Sequence, residues 1–251
     1  EARDVVLDAL KFLNQPFPRR LVHFHLMVDF SKTSKMMRSR TDVELLALPR
    51  IEDTEFSDSI EFMERLAELA TLSTDHSYVP SISMRMIQLT LARGLLPLST
   101  YAFIGWAWSK VEMREYDEGL RFGKLALKDA DEAFGRVRDT RTRVEVMTFV
   151  FHWRMAWREG LAPMQRNMQE LWDYSALDFI HWHGKHHCRL LLAAGNDLRH
   201  TVSEIEKYCE CLLDYNQERH WRNLVPFYQS VLNLMGKSAA GSRLFGEIDE
   251  Q

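Results

Sequence analysis

Glycine and proline are scarce in this 251-residue sequence, at 11 and 7 copies. Few turns are therefore marked, which excludes an architecture of many short strands and favours long helices. Cysteine is scarcer still. Cys188, Cys209 and Cys211 make neither an even set nor a C-x-x-C pair, so a disulfide framework is excluded and a reduced, cytoplasmic setting is expected. No apolar run approaches the ~20 residues that a membrane-spanning helix needs, so no membrane partner is expected. A dominant charge is missing as well: 32 basic and 36 acidic residues leave a net charge of −4. That balance gives no global attraction for phosphate backbones, so nucleic acid is not an expected partner. Arg136, Arg138, Arg141 and Arg143, with Asp139 among them, form one local basic run, which reads as a solvated helix start. The opening Glu1-Ala2-Arg3-Asp4 is neither a signal peptide nor an initiator, and reads as a piece cut from a longer chain.

The motifs of common catalytic machinery are also missing. There is no G-x-x-x-x-G-K-[ST] or G-x-G-x-x-G loop to cradle phosphates, and no G-x-S-x-G nucleophile elbow. Glu204 and Glu206 are two apart, so on a helix they point to different faces and do not cooperate. The run His181-Trp182-His183-Gly184-Lys185-His186-His187-Cys188 is the richest in potential ligands. His183 and His187, four apart, share a helix face and are weak metal candidates. A closed site needs two further ligands, and no Glu follows His183, so the plainer expectation is packing or solvent contact. No cofactor is expected and no residue is assigned a catalytic role. His152-Trp153-Arg154 invites comparison with a phospho-accepting histidine box, but with no ATP-binding domain present its reading is packing. His23 and His25 alternate across two faces, and the sequence points to no site for them.

Helical periodicity is what the sequence does have. Val5, Val6, Ala9, Leu10 and Leu13 follow one helix face before Pro16 and Pro18. A long helix is predicted over 20–38, a turn over 45–49, and a helix from Ser57 or Asp58, with Ile60, Met63, Leu66, Ala67 and Ala70 inward. Further helices are predicted over 81–93, ending at Gly94, and over 101–111, 117–134 and 142–157. In the last of these Val146, Phe149, Val150 and Trp153 face inward. Gly160 and Pro163 mark a turn before helices around 177–194, 201–213 and 221–235. With short connections throughout, the fold class is all-α: antiparallel hairpins stacked as a tetratricopeptide-like superhelical array. The expected domain is 1–235, with a flexible tail over 236–251.

The stretch 97–134 carries the most specific pattern. Glu115-Tyr116-Asp117-Glu118-Gly119, then Phe122-Gly123 and Leu125-Ala126-Leu127, resembles the second helix of a tetratricopeptide repeat, with Phe103 and Trp106 filling the hairpin from the first helix. Gly119 and Ala126, two turns apart on one face, let a neighbouring helix approach closely. Ala107 and Lys110 depart from the repeat pattern, which usually has glycine and tyrosine there. Glu44-Leu45-Leu46-Ala47-Leu48-Pro49, this hairpin, Phe151-His152-Trp153-Arg154 and Ala194-Gly195-Asn196-Asp197-Leu198 together resemble the helical region of large multidomain signalling ATPases. Ser175-Ala176 departs from that pattern, where Gly-Asp is expected. In that family a P-loop ATPase precedes the helices, and sensor plus histidine kinase or nucleotide cyclase domains follow. The resemblance implies a non-catalytic module for protein–protein interaction and signal relay. Its partners would be adjacent domains of the same polypeptide, a separate protein, or a second copy.

Seven tryptophans are many for this length. Tyr101, Trp106, Trp108, Trp153, Arg154 and Trp157 are therefore the candidate lining of a partner- or ligand-binding groove. Core packing is the plainer role for several of them. A small-ligand-sensing repeat domain is the alternative function, and a metal-dependent enzyme using His183 and His187 is a more distant one.

Overall fold

The computed structural model describes residues 2–19, 23–72, 78–96, 98–133, 136–173 and 177–238. Among these the protein is all-α, with no strand and one isolated parallel bridge, Arg50 to Leu95. The sequence reading draws one domain over 1–235; the contacts cluster in two compact units, Glu1–Phe134 and Gly135–Gln251.

The first unit comprises α1 (Ala2–Phe12), α2 (His23–Met37), α3 (Asp42–Leu46), α4 (Thr54–Leu72), α5 (Tyr78–Arg93), α6 (Ser99–Glu112) and α7 (Tyr116–Ala133). α1 packs on α4, both α4 and α2 on α5, α5 on α6 and α6 on α7. Local chemistry sets the helix ends. Thr41 and Glu44 close a reciprocal capping box that makes 42–46 a short helix, so the turn predicted over 45–49 begins only after Leu46. The Asp53 carboxylate accepts the Phe56 N–H at 2.9 Å, so α4 starts earlier than Ser57 or Asp58. Gly94 ends α5 at φ +125°, a conformation that side chains disfavour.

The expected hairpin between 99 and 133 is present. A Cβ on Gly119 would lie 2.7 Å from Val111 Cγ2 and 3.2 Å from the Ala107 carbonyl, so the close approach of α7 to α6 depends on glycine. Phe103 and Trp106 are both buried, and Trp106 meets the edge of Phe122 at 6.4 Å and stacks on Phe30 of α2 at 5.5 Å. The seam between α2 and α5 is polar: Gln88 donates to Thr33 Oγ1 at 2.8 Å and Ser81 donates to Asp29 at 3.2 Å.

The second unit comprises α8 (Arg136–Phe149), two 3-10 turns (Phe151–Trp153 and Trp157–Gly160), α9 (Leu161–Asp173), α10 (Leu177–Ala193), α11 (Leu198–Asp214), α12 (Glu218–Arg222) and α13 (Val225–Leu234). α8 packs on α9, α9 on α10, α10 on α11 and α11 on α13. The continuous helix predicted over 142–157 breaks at Phe149. Phe149-Val150-Phe151-His152-Trp153 puts five bulky side chains in a row, and a regular helix turns some of them outward. The break instead buries both Val150 and Phe151 and leaves Trp153 46% exposed, not inward as predicted.

Two boundaries also differ. Pro163 lies in the first turn of α9, where its missing N–H has no intrahelical partner to lose, so it starts a helix instead of a turn. Asp197 caps α11 by accepting from the N–H groups of Arg199 and His200, extending that helix back to Leu198. The single helix predicted over 221–235 is two pieces, with Pro226 in the first turn of α13. Ser175-Ala176, the basic run's Arg136 and Arg138 side chains, and the tail beyond Ser238 lie outside the described residues.

Candidate functional site

The six aromatic and arginine candidates separate by burial. In the first unit Trp106 is 1% exposed and belongs to the core, not to a groove, while Tyr101 and Trp108 are half-buried on the same helix. Trp153 and Trp157 lie on the two 3-10 turns of the second unit, with Arg154 in the link between them, and there the geometry forms a surface.

The break after Phe149 creates it. His152 stacks on Trp157 with ring centroids 4.6 Å apart and planes 20° from parallel, and it also meets Trp153 at 4.9 Å. The Arg189 guanidinium, carried by α10, lies over the Trp157 ring at 5.6 Å. One turn back on α10, His186 packs against Trp182 at 4.8 Å and against Phe149 at 5.4 Å. Trp182 is 40% exposed. The result is a ledge of rings with an exposed tryptophan in each of its two parts. Burial, aided by the positive Arg189, lowers the His152 pKa, so the stacked ring is neutral at pH 7.

The ledge is cationic along its margin. Arg154, Arg158 and Lys185 are exposed and Arg189 is half-buried. Arg158 is oriented by donating from Nε to the Ala194 carbonyl at 3.0 Å. Between 151 and 160 the one carboxylate is Glu159, which accepts the Ala156 N–H at 2.9 Å. Between 180 and 196 the sequence has no Asp or Glu at all. Two shallow clefts of about 200 Å³ and about 210 Å³ run along the ledge and share Met147, Trp157 and Leu190. Both are shallow and open to solvent, unlike the enclosing clefts of ordinary small-molecule sites.

The sequence reading did not single out Trp182, His186 or Arg189 for this surface. Their signal is present in hindsight: positions 182, 186 and 189 fall on one helix face beside a carboxylate-free run.

The histidines named as weak metal candidates form a different arrangement. His183 and His187 are both buried, and their Nδ1 atoms converge on the Tyr208 hydroxyl of α11, at 3.5 Å and 2.9 Å. The Tyr208 hydroxyl thus lies against the Nδ1 edge of both imidazoles, while their Nε2 atoms are buried without a hydrogen-bond partner. Among the described residues no group of three or more His, Cys, Asp or Glu is placed to hold a metal. Gly184 makes room for the Tyr208 ring, since a Cβ there would lie 2.5 Å from Cδ1.

Burial drives the His183 pKa down to about 3, helped by His187, with the Met164 carbonyl opposing. His186 is also at about 3, through burial and then Lys185 and Arg189. His187 reaches about 4, burial outweighing the nearby Glu204. Burial raises the Cys188 and Cys209 thiols, the latter to about 12, so neither is a ready nucleophile or thiolate ligand. Glu204 pairs with Lys207 and Glu206 accepts from Tyr228, so the two carboxylates serve different contacts. The His181 side chain lies outside the described set; His152, Trp153 and Arg154 lie on the ledge.

Comparisons of the chain with models of protein families, with curated proteins and with solved structures return no match. No helix of the described residues is long and apolar enough to cross a membrane.

Proposed function

We propose that this chain is a non-catalytic, cytoplasmic helical module for protein–protein interaction and signal relay. Its hairpins would belong to a tetratricopeptide-like array within a multidomain signalling ATPase, as the resemblance over 43–198 suggests. The observation that carries the interaction role is the ledge of the second unit. Two of its tryptophans, Trp153 and Trp182, are 46% and 40% exposed beside cationic side chains, and aromatic residues with arginine are the anchors protein interfaces favour. The small clefts speak against the ligand-sensing alternative, because a free metabolite would not be enclosed by them. Both His183 and His187 hydrogen-bond the Tyr208 hydroxyl, which supports a packing role for the pair over the metal-enzyme alternative.

The test is amine cross-linking followed by mass spectrometry on the protein expressed from its natural reading frame. Lys185, exposed beside Trp182, is expected to join lysines of another domain or another protein. Cross-links from Lys185 that never leave 135–251 would sink the reading.

A further inference from the structure

We propose that α11, together with α12 and α13, is an acid-released flap latched to α10 by Tyr208, His183 and His187. Mild acid opens this one seam while the helices before it stay folded.

The topology allows such an opening. α11, α12 and α13 pack on one another, and the Tyr228 hydroxyl of α13 donates to Glu206 of α11 at 2.7 Å. They meet the earlier helices of the unit mainly at α10, with Met168 of α9 also touching the shared apolar cluster. Across that seam Tyr208 is bonded to both imidazoles, at 2.9 Å to His187 Nδ1 and 3.5 Å to His183 Nδ1.

One hydroxyl serves two neutral rings by donating its proton to one Nδ1 and accepting an N–H from the other. The Nε2 atom of each ring is buried without a hydrogen-bond partner. An added proton is therefore costly at either ring. On the accepting ring it takes the Nδ1 lone pair and breaks the bond from Tyr208. On the donating ring it lands on Nε2, where the new N–H is buried with nothing to accept it.

The groups facing the pair do little to offset that cost. His186 of α10 adds like charge to His183, and His200 of α11 does so to His187. The Met164 carbonyl of α9 faces His183, and Glu204 of α11 acts on His187 but is paired with Lys207 at 2.6 Å. Near Tyr208 stands the neutral Cys188 thiol, and the α13 hydroxyl of Tyr228 is committed to Glu206. Opened, both imidazoles return to water and to their ordinary 6.5, whereas burial in the closed seam holds them at about 3 and about 4. The closed seam is thus favoured above 6.5 and loses ground as pH falls. His186 is not part of the latch. It packs on Trp182 and on Phe149 of α8, and lines a cleft with Met147, Thr148 and Trp157, all outside 198–238.

Thiol exposure reads the opening, because Cys188 and Cys209 are buried in the cluster of this seam and the first unit has no cysteine. The experiment is reaction of the full chain carrying Cys211→Ser with dithiodipyridine at about pH 7.5 and about pH 5.5. Each rate is divided by that of the same chain unfolded in urea at the same pH. The normalised rate is expected to rise about a hundredfold, about tenfold for each histidine that binds a proton once opened. Far-UV circular dichroism is expected to stay the same. His183→Gln and His187→Gln should each leave about a tenfold rise, and the double variant a rise within about twofold, while His186→Gln keeps the full effect. Tyr208→Phe should raise the rate at both pH values and keep their ratio. Asn replaces Gln in any variant whose circular dichroism at about pH 7.5 departs from that of the parent.

A normalised rate that fails to rise overturns the inference. So does a rise that His186→Gln reduces as much as His183→Gln does, or one accompanied by loss of helicity, since either means that the whole unit melts instead of one seam opening.

Discussion

Gly184 sits where the Tyr208 ring crosses α10, and that ring has little freedom to retreat. Its hydroxyl is fixed 2.9 Å from His187 and its body is 3% exposed. Gly184→Ala places a methyl group 2.5 Å from Cδ1, so either the ring or the helix must shift. Overpacking of this kind costs about 1–3 kcal/mol, and a lowered urea midpoint with an unchanged slope is the expected readout. An unchanged midpoint would show that the two helices part freely here. The sequence made it legible that His183 and His187 share a face, because i and i+4 fix that on any helix. Their service to a tyrosine was hidden, since Tyr208 lies on the next helix and no local spacing announces it.

Helix ends show the same division between local and distant causes. α4 begins under Asp53, whose carboxylate holds the Phe56 N–H. Asp53→Ala removes that cap and is expected to cost about 1 kcal/mol, read as a lower melting temperature of the whole chain. If Ser57→Ala is the costlier change instead, the cap has been misplaced. The sequence reading put the cap at Ser57 or Asp58, and moving it back to Asp53 needs the packing of Phe56 and Ile60, both buried. Long periodic helices such as α7 and α11 were legible because one apolar stripe repeats over four or more turns. The segment after Phe149 was not. There, five bulky side chains compete for one buried face, and the burial of Val150 and Phe151 decides which turn outward. Half the candidate surface followed from that unreadable break: Trp153, Arg154 and Trp157 were named from the sequence, but not the partners α10 brings to them.

Over the whole molecule, acid should act on one unit first. His183, His186 and His187 are neutral in the fold, at about 3, 3 and 4, against an ordinary value of 6.5. The groups facing them are one another, Lys185 and Arg189 on α10, Glu204 and His200 on α11, and the Met164 carbonyl of α9. Between about pH 3 and 6.5 the unfolded chain binds protons that the folded chain refuses. Stability from these residues is therefore complete above 6.5 and declines as pH falls, by at most about 1.4 kcal/mol per pH unit for each histidine. A series of urea unfolding curves should slope downward through this window, and His186→Gln should flatten the slope by one histidine's share. Limited proteolysis under mild acid should cut within 135–251 before it cuts within 54–133. A level profile would mean the imidazoles accept protons in place.

The connection after α3 has a consequence of its own. Ile51 donates to the Leu95 carbonyl at 3.0 Å, Leu95 donates to the Pro49 carbonyl at 2.8 Å, and Arg50 reaches the buried Asp129 at 3.2 Å. Gly94 leaves the gap through which these two connections touch. Polypeptide severed between Arg50 and Ile51 would thus remain one particle, held through Pro49 and Arg50: its pieces should co-migrate on a sizing column and come apart only in denaturant.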